Sequence, residues 1–470
     1  MNNPTTIDGD KLYAKIAWRI IPFLFILYIA AYLDRANVGF AKTMFQKDLN
    51  LSDAAYGFGF GLFFIGYFLF EVPSNLILQK VGARLWIARI MLSWGVVSCS
   101  FMFMWNETSF YVLRFLLGVT EAGFFPGMIL YLSYWFPVRL RARMVSRFMA
   151  AIPISFIIGG PLSGLILKGM DDVGGMQGWQ WMFLLEGIPT LILGVMVFFY
   201  LTDRPAKAGW LSEPEKEWIE ADLELDRARI ADGGRKDLAG AFVDLRVWYV
   251  VLLYLTNVMA NYGLGSWMPS VIEDSNPALK ASNPDAASQR AALLTAIPWV
   301  VTLIAMVTNG WHSDKTNERK WHFAIPHVVG AAGLIGTLFF FDNTVMLIIC
   351  LCFAAAGINC VLGVFWALPA SFLTGAAAAG GIAMINSLGN LGGFIGPYTL
   401  GALKQGFGDP AQSIVIRSFT NLGIDKLLGP EFMNKMQHGF GYTGGFIAMA
   451  CSLILGAILV LMFKPKKAAK

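Results

Sequence analysis

Charged side chains are scarce in this sequence. Only 14% of its 470 residues are Asp, Glu, Lys or Arg, whereas about 25% is usual in soluble domains. Hydrophobic residues make up 56% of the chain, and its mean hydropathy is +0.58. Apolar runs of about 20 residues recur along it, which is the length a helix needs to cross a bilayer. The composition excludes an ordinary soluble protein and predicts an all-α polytopic membrane protein.

Thiols and imidazoles are also few. The chain has five cysteines and four histidines. The cysteines lie in apolar segments, where they are typical of small buried side chains, and their spacing does not fit a zinc site. No phosphate-binding glycine loop follows a strand pattern, and no nucleophile–base pair stands out in the apolar runs. We therefore predict no metal, no cofactor and no enzymatic activity, and the net charge of +5 gives no reason to expect a nucleic-acid partner.

The apolar runs predict twelve transmembrane helices. Lys and Arg collect in alternate loops, at both termini and in the long charged stretch between the sixth and seventh runs. Because cytoplasmic loops collect these residues, both termini are predicted to face the cytoplasm, in a bacterial inner membrane. The predicted spans are approximately 17–40, 54–78, 84–104, 108–135, 144–168, 180–201, 245–272, 291–312, 321–341, 344–371, 378–404 and 439–463.

The charged stretch divides the chain nearly in half. Residues 203–243 have a proline near their beginning, carry Glu and Asp at helical spacing and include Gly-Gly, which predicts a cytoplasmic connector with a short amphipathic helix. The connector separates two predicted six-helix bundles, residues 1–202 and 244–470. A second long loop, 405–438, precedes the last span.

Two internal similarities support a duplicated plan of six plus six helices. "NLILQKVGAR" (75–84) resembles "GWHSDKTNER" (310–319), and "GGPLSG" (159–164) resembles "GFIGPYTLG" (393–401). Both pairs are separated by half the chain. Many secondary transporters are built from repeated halves with the binding site between them. The pattern predicts two halves related by a pseudo-two-fold axis.

The segment 75–84 is similar to the loop signature of the major facilitator superfamily, Gly-x-x-x-Asp-Arg-x-Gly-Arg-Arg. The first copy departs from it at Asn75 and Gln79, whereas the second copy keeps Gly310 and Asp314. A narrower resemblance, to the anion:cation symporter family with its galactonate, tartrate and phthalate permeases, rests on four further segments. They are "LDRANVGFA" (33–41), "RFLLGVTEAGFFPG" (114–127), "YWFPVRLRAR" (134–143) and "INSLGNLGGFIGP" (385–397).

Four charges in the first half form the candidate site. An ionised group within a bilayer costs about 2.5–3.5 kcal/mol on insertion scales, so it persists mainly where it pairs or works. Arg114 and Glu121 lie two turns apart on one helix face, and Gly118 between them leaves room for a substrate or a partner helix. Asp34 and Arg35 are adjacent and diverge by about 100° around their helix. We expect these two carboxylates and two guanidinium groups to form a cluster. The cluster either has a functional role or is a static ion-pair network that fixes helix packing.

The family resemblance implies a role for each of these charges. Asp34 and Glu121 would carry protons, Arg35 would bind the substrate carboxylate, and Arg114 would couple with Glu121. Movement of an arginine toward a substrate anion would leave its carboxylate free to take a proton. The resemblance therefore implies proton–anion symport, with the proton gradient as the driving force.

The resemblance also implies neutral substrate ligands. Tyr67 matches a tyrosine that hydrogen-bonds the substrate, although a core aromatic is the alternative. Trp366 and Asn386 match positions that line the cavity. Asn390, one turn beyond Asn386, either reaches the same cavity or packs within its glycine-rich helix. Ile152 stands where galactonate-type permeases carry Gln, which favours a smaller or less hydroxylated acid.

Two further glutamates, Glu71 and Glu186, are interpreted as structural, pairing with loop arginines or capping broken helices. The sequence thus predicts a monomeric, bilayer-embedded importer of a small organic carboxylate. A tartrate-like dicarboxylate or a sugar acid is the first expectation, an aromatic acid such as phthalate or hydroxyphenylacetate is the alternative, and a metabolite exporter of the same fold is less favoured.

Overall fold

The computed structural model describes residues 7–233, 244–316, 318–370, 375–406 and 440–463. Within these ranges nearly all residues are helical. Eleven segments there are long and apolar enough to cross a membrane. The prediction of an all-α polytopic membrane protein is confirmed.

The first half and the connector consist of long helices joined by short loops. Polar caps begin several of them. The Oγ of Ser52 accepts a hydrogen bond from the backbone N of Ala55, and Asn106 and Ser109 form a capping box. The helices are α1 (Gly9–Phe40), α2 (Lys42–Asp48), α3 (Asp53–Val81), α4 (Ala83–Ser100), α5 (Glu107–Glu121), α6 (Phe124–Trp135), α7 (Val138–Met149), α8 (Ala151–Gly169), α9 (Gly178–Tyr200) and α10 (Glu213–Gly233).

The second half repeats this pattern of long apolar helices. Some of its spans are divided into shorter helices. The helices are α11 (Leu245–Asp274), α12 (Pro277–Ser282), α13 (Pro284–Thr316), α14 (Trp321–Phe339), α15 (Thr344–Asn359), α16 (Leu362–Phe365), α17 (Ala367–Ala370), α18 (Gly375–Gly389), α19 (Gly392–Gly406) and α20 (Phe440–Met462).

The predicted span 378–404 is two helices, with a break after Gly389. Glycines flank the break, and they let this segment approach α11 closely. A Cβ atom on Gly392 would lie 2.6 Å from the backbone oxygen of Leu255. Glycine also weakens a helix at such a point. The break lies at Asn390, one of the predicted substrate ligands.

The connector helix α10 packs against the beginning of α1 and α7. The carboxylate of Asp222 accepts hydrogen bonds from the Tyr13 hydroxyl at 2.7 Å and from Nη2 of Arg139 at 2.8 Å. Nζ of Lys15 lies 2.8 Å from Glu215. We call this end of the bundle the connector side, and the end where α1 finishes the opposite side.

The two halves meet along two helix pairs, α3 with α19 and α8 with α13. Close backbone approach marks the first pair, because a Cβ on Gly57 would lie 2.5 Å from the backbone oxygen of Pro397. In the second pair, Phe156 stacks on Trp299 with 3.9 Å between ring centroids. The helices α1 and α11 lie between these pairs and contact each other. Residues 234–243 of the predicted connector and 407–439 lie outside the described residues, and the predicted domain boundaries stay a prediction.

Candidate functional site

A small cavity lies between the two halves. It leaves about 40 Å³ for the centres of water molecules, which is room for about three waters. The structure brings together four of the predicted substrate ligands, Arg35, Tyr67, Asn386 and Asn390, in its wall, together with Ile152. The remaining lining residues are Tyr28, Tyr32, Phe63, Phe64, Phe125, Met149, Tyr254, Val258, Asn261, Tyr262 and Leu362.

Arg35 is the charged group of this wall. Its side chain is 10% exposed and forms an ion pair with Glu121, whose side chain is fully buried. Nη1 of Arg35 donates a hydrogen bond to the hydroxyl of Tyr262 in the second half, at 3.2 Å. The guanidinium also lies 5.0 Å from the ring centroid of Tyr32 and 5.7 Å from that of Tyr67, within the range of cation–π attraction. A guanidinium held in this way can bind a second carboxylate if Glu121 moves aside.

Glu121 forms its ion pair with Arg35 rather than with Arg114, and the predicted coupling of Arg114 with Glu121 stays a prediction. Two helical turns separate Arg114 from Glu121 along α5, a rise of about 10 Å. Arg114 instead reaches across to α3, where its Nη2 donates to the backbone oxygen of Phe60 at 2.8 Å. Its guanidinium lies 4.6 Å from the ring centroid of Phe60 and 5.1 Å from that of Phe63. Nε and Nη1 of this buried side chain have no hydrogen-bond partner in the described part of the chain.

Gly118 serves a partner helix rather than a substrate. A Cβ on Gly118 would collide with the backbone oxygen of Phe63 and lie 2.9 Å from the backbone nitrogen of Tyr67. Small residues allow membrane helices to pack at such short distances. Gly118 therefore allows α5 to pack closely against α3, and this packing determines the position of Glu121 at the end of α5.

Asp34 lies outside the charge cluster, so the predicted group of four charges is wrong. It is 1% exposed and accepts hydrogen bonds from three neutral donors in the first half. They are Nε1 of Trp94 at 2.6 Å, Oγ1 of Thr190 at 2.8 Å and Oγ of Ser98 at 3.0 Å. Within the described ranges no Lys, Arg or His lies within ion-pair distance of it. The reason is the divergence of adjacent residues on a helix, which directs Arg35 to the cavity and Asp34 toward α4 and α9.

In the second half, Trp366 is not part of the cavity wall, contrary to the prediction. It packs edge-on against Tyr254, with 5.2 Å between ring centroids, and Tyr254 lines the cavity. Asn386 and Asn390 do line it, and the backbone N of Asn390 donates to the backbone oxygen of Asn386 at 2.9 Å. Trp366 therefore supports the wall from behind.

The two glutamates interpreted as structural do not bind loop arginines in the described part of the chain. Oε1 of Glu71 accepts from Nδ2 of Asn386 at 2.8 Å, and Oε2 accepts from Oγ of Ser387 at 2.5 Å. Oε1 of Glu186 accepts from Oγ of Ser163 at 2.6 Å, within the first half. Glu71 therefore joins the two halves, and Glu186 joins α8 to α9.

On the opposite side, a charged network that the sequence analysis missed also joins the halves. Nζ of Lys404 lies 3.1 Å from Asp53 and 3.4 Å from Asp274. Nζ of Lys42 lies 3.1 Å from Asp53 and 3.8 Å from the ring centroid of Trp267. Burial, together with the nearby charge of Lys404, lowers the pKa of Lys42 to about 8. The only signal in the sequence was the position of these charges at span ends, where charges are common.

The aromatic wall was also missed. Tyr28, Tyr32 and Tyr262 line the cavity, but aromatic residues occur throughout the spans, so their composition alone does not show which of them face inward. An interior position is set by how each helix is rotated in the bundle, which depends on all its neighbours.

Comparison with known proteins identifies close relatives. The "Putative tartrate transporter" of Agrobacterium vitis is 47% identical over 408 residues, covering 86% of this chain and 90% of that protein. The "Putative metabolite transport protein NicT" of Pseudomonas putida is 44% identical over 409 residues, covering 86% and 92%. The "Quinolone resistance transporter" of Acinetobacter baumannii is 40% identical over 419 residues, covering 88% and 94%. The prediction of a transporter rather than an enzyme is confirmed.

The fold and the family agree with these relatives. The crystal structure of a D-xylose-proton symporter matches with a TM-score of 0.70 and 17% sequence identity, covering 96% of this chain and 98% of that one. This likeness confirms the predicted twelve-helix fold. The family model of the Major Facilitator Superfamily matches residues 24–397 of this chain. The chain belongs to the Major Facilitator Superfamily.

Proposed function

We propose that the protein imports a small organic carboxylate together with protons by alternating access. The observation that carries this proposal is the ion pair between Arg35 and Glu121 in the wall of the central cavity. It offers a substrate anion a guanidinium at mid-membrane, where a charge is otherwise costly.

Exchange of carboxylates at Arg35 supplies the coupling. A substrate carboxylate binds the guanidinium through paired N–H groups and displaces Glu121. The displaced carboxylate is then buried without its cation, which is unfavourable unless it becomes neutral by taking a proton. Substrate and proton therefore bind together, and by linkage each strengthens the binding of the other.

Asp34 and Arg114 are the remaining members of the proton-coupling set. Asp34 is a buried carboxylate held only by neutral donors in the described part of the chain, so it is neutralised at low cost when a proton is available. Arg114 is a fixed positive charge on the face of α5 that carries Glu121. We propose that Asp34 is a second proton carrier and that Arg114, whose charge couples with Glu121, favours release of the proton from Glu121 when substrate leaves Arg35.

A tartrate-like hydroxy-dicarboxylate is the proposed substrate. The name of the relative from Agrobacterium vitis supports this class. Ile152 in the wall offers no hydrogen bond to a sugar acid with many hydroxyls. The cavity lies between the two halves, so contacts between the halves must break to admit a substrate, first on one side of the cavity and then on the other. The proton is the coupling ion, and no other cofactor is proposed.

An aromatic acid is the second candidate, favoured by one observation. Five tyrosines line the cavity, and flat rings stack favourably on such a wall. They are Tyr28, Tyr32, Tyr67, Tyr254 and Tyr262.

We propose that the connector side faces the cytoplasm of the bacterial inner membrane, since Lys and Arg collect there, and that the protein acts as a monomer in the bilayer.

Uptake by proteoliposomes tests the proposal. A panel of labelled tartrate, sugar acids, phthalate and hydroxyphenylacetate is offered with and without an imposed inward proton gradient. Accumulation of a hydroxy-dicarboxylate that depends on the gradient is the expected result. Preferential accumulation of an aromatic acid would select the second candidate. Efflux of substrate driven by an inward proton gradient would identify an exporter and contradict the proposal.

A further inference from the structure

Glu71 is a buried carboxylate that bridges the two halves. It lies on α3, is 1% exposed and accepts hydrogen bonds from two consecutive residues of α18, Asn386 and Ser387. In the described residues no Lys, Arg or His side chain lies within ion-pair distance of it. Two neutral hydrogen bonds stabilise a buried negative charge only partly.

The position of Glu71 places this contact at the connector-side end of the cavity. Glu71 follows Tyr67 by one turn in the direction of the connector side, and Tyr67 lines the cavity. Asn386 also lines the cavity while its amide binds Glu71. The contact therefore lies beside the connector-side part of the cavity wall and at the same time occupies a hydrogen-bond donor of a residue that lines the cavity.

Arg35 and Asn386 are engaged in the same way. Each faces the cavity, and each is bound by a carboxylate of the protein itself, Arg35 by Glu121 and Asn386 by Glu71. A molecule with one acid group can replace only one of these carboxylates. A molecule with two acid groups can replace both.

We propose that Glu71 is a specificity-determining residue and the connector-side latch of the carrier. Its carboxylate holds Asn386 and Ser387 until the second acid group of a substrate takes the amide of Asn386. The choice of a two-acid substrate rests on the proposed function, whereas the latch rests on the contact alone.

Substrate binding is thereby tied to opening. Once Asn386 turns to the substrate, Glu71 retains only the hydrogen bond from Ser387. Separation of α3 from α18 then exposes the carboxylate to water, which solvates a charge better than the protein does. A ligand shifts a conformational equilibrium only through unequal binding to the two states. The substrate binds more tightly to the state in which Asn386 is released from Glu71, because only there is its amide available.

Thiol labelling tests the latch without any substrate. The reporter is Met149→Cys, at a residue that lines the cavity, in a chain whose five native cysteines are replaced by serine. With purified protein in detergent, Glu71→Ala should speed labelling about 10-fold, the order of magnitude of a lost hydrogen bond to a charged group. Glu71→Gln keeps the volume and should give a smaller increase, which decides the test if the alanine variant does not fold.

The matched control is Glu186→Gln, which alters another buried glutamate away from the cavity and should label at the wild-type rate. An unchanged rate in the folded Glu71 variants would overturn the latch. Equal acceleration in Glu186→Gln would do the same, because it would indicate general loosening.

A matched pair of acids tests specificity. Tartrate and threonate share a hydroxylated four-carbon chain, but threonate has one carboxylate. In Glu71→Ala the KM for tartrate should fall about 10-fold relative to that for threonate, because the internal competitor for Asn386 is gone. Parallel changes in both KM values would overturn the competition. If the wild type transports neither acid, the proposed substrate class fails, and the labelling experiment still decides whether Glu71 is a latch.

Discussion

Replacement of Glu121 by Gln removes one negative charge from the cavity wall with little change in shape. Glu121 is fully buried and pairs with Arg35. If the pair were static, the variant would leave the arginine buried without its anion, and breaking such a pair costs about 3–5 kcal/mol of stability. Arg35 keeps the hydroxyl of Tyr262 at 3.2 Å and its ring contacts, and the Gln carbonyl can accept a hydrogen bond. We therefore expect the free energy of unfolding to fall by no more than about 2 kcal/mol.

The functional effect of Glu121→Gln should be selective. A glutamine resembles the protonated glutamate, so the variant resembles the substrate-binding form. Substrate affinity should rise by about 10-fold, the order of magnitude of removing one charged competitor for a hydrogen-bond donor. Exchange of substrate across the membrane should continue, because it requires no return of the unloaded carrier. Accumulation driven by a proton gradient should be lost, because the variant cannot take up and release a proton at this position.

Two assays on the same proteoliposomes separate these outcomes. Counterflow of labelled against unlabelled substrate measures exchange, and uptake under an imposed pH gradient measures accumulation. Glu186→Gln serves as the control, since Glu186 bonds Ser163 within the first half and does not line the cavity. Retained accumulation in Glu121→Gln would refute the reasoning and leave Asp34 as the sole candidate proton carrier.

Three further predictions concern Arg35, Trp366 and Lys42. Arg35→Lys should lose most substrate binding while the protein still folds, because a lysine lacks paired N–H groups; wild-type affinity in a direct binding assay would remove Arg35 from the site. Trp366→Phe should change which acids compete for uptake, because Tyr254 loses its support, and a shifted pH profile would contradict this separation of selectivity from coupling. Opening of the opposite side hydrates Lys42, whose pKa is about 8 when buried and 10.5 ordinarily. Between these two pKa values, the form with the opposite side closed therefore binds fewer protons than the open form. Raising the pH from about 8 to 10 should favour the closed form. Spin-label distances across the opposite side measure this, and an equal response in Lys42→Met would contradict it.

The fold could be predicted because it follows from the composition of the chain and from the repeated apolar runs along it. Scarce charge and repeated apolar runs require membrane helices, whose backbone hydrogen bonds are satisfied internally. Breaks within a span were harder to predict. The division after Gly389 depends on how closely Gly392 approaches α11, and this distance is a property of the packed bundle.

The members of the site were easier to predict than their partners. Arg35, Glu121 and Asp34 were all singled out by their cost in a membrane. Helical period shows that Asp34 and Arg35 diverge, but it does not show which neighbouring helix each one meets. The partner of Glu121 could not be deduced from its spacing to Arg114, because Arg35 reaches it from another helix.

Contacts between the halves left the weakest trace in the sequence. Glu71 and Asn386 are 315 residues apart, and nothing in the local pattern around either residue indicates the other. The same holds for Asp53 and Lys404 on the opposite side. Such pairs form only when two complete bundles come together, so the sequence alone led to the interpretation that Glu71 pairs with a loop arginine or caps a broken helix.

The central claim is that a substrate carboxylate replaces Glu121 on Arg35 and that Glu121 then takes a proton. Calorimetric titration of the purified protein with its substrate, in buffers of different ionisation enthalpy at neutral pH, gives the number of protons taken up for each substrate bound. The wild type should take up about one proton that Glu121→Gln does not, because the exchanged carboxylate must be neutralised when it is buried. Binding to the wild type without proton uptake, or equal uptake in the wild type and Glu121→Gln, would contradict the account.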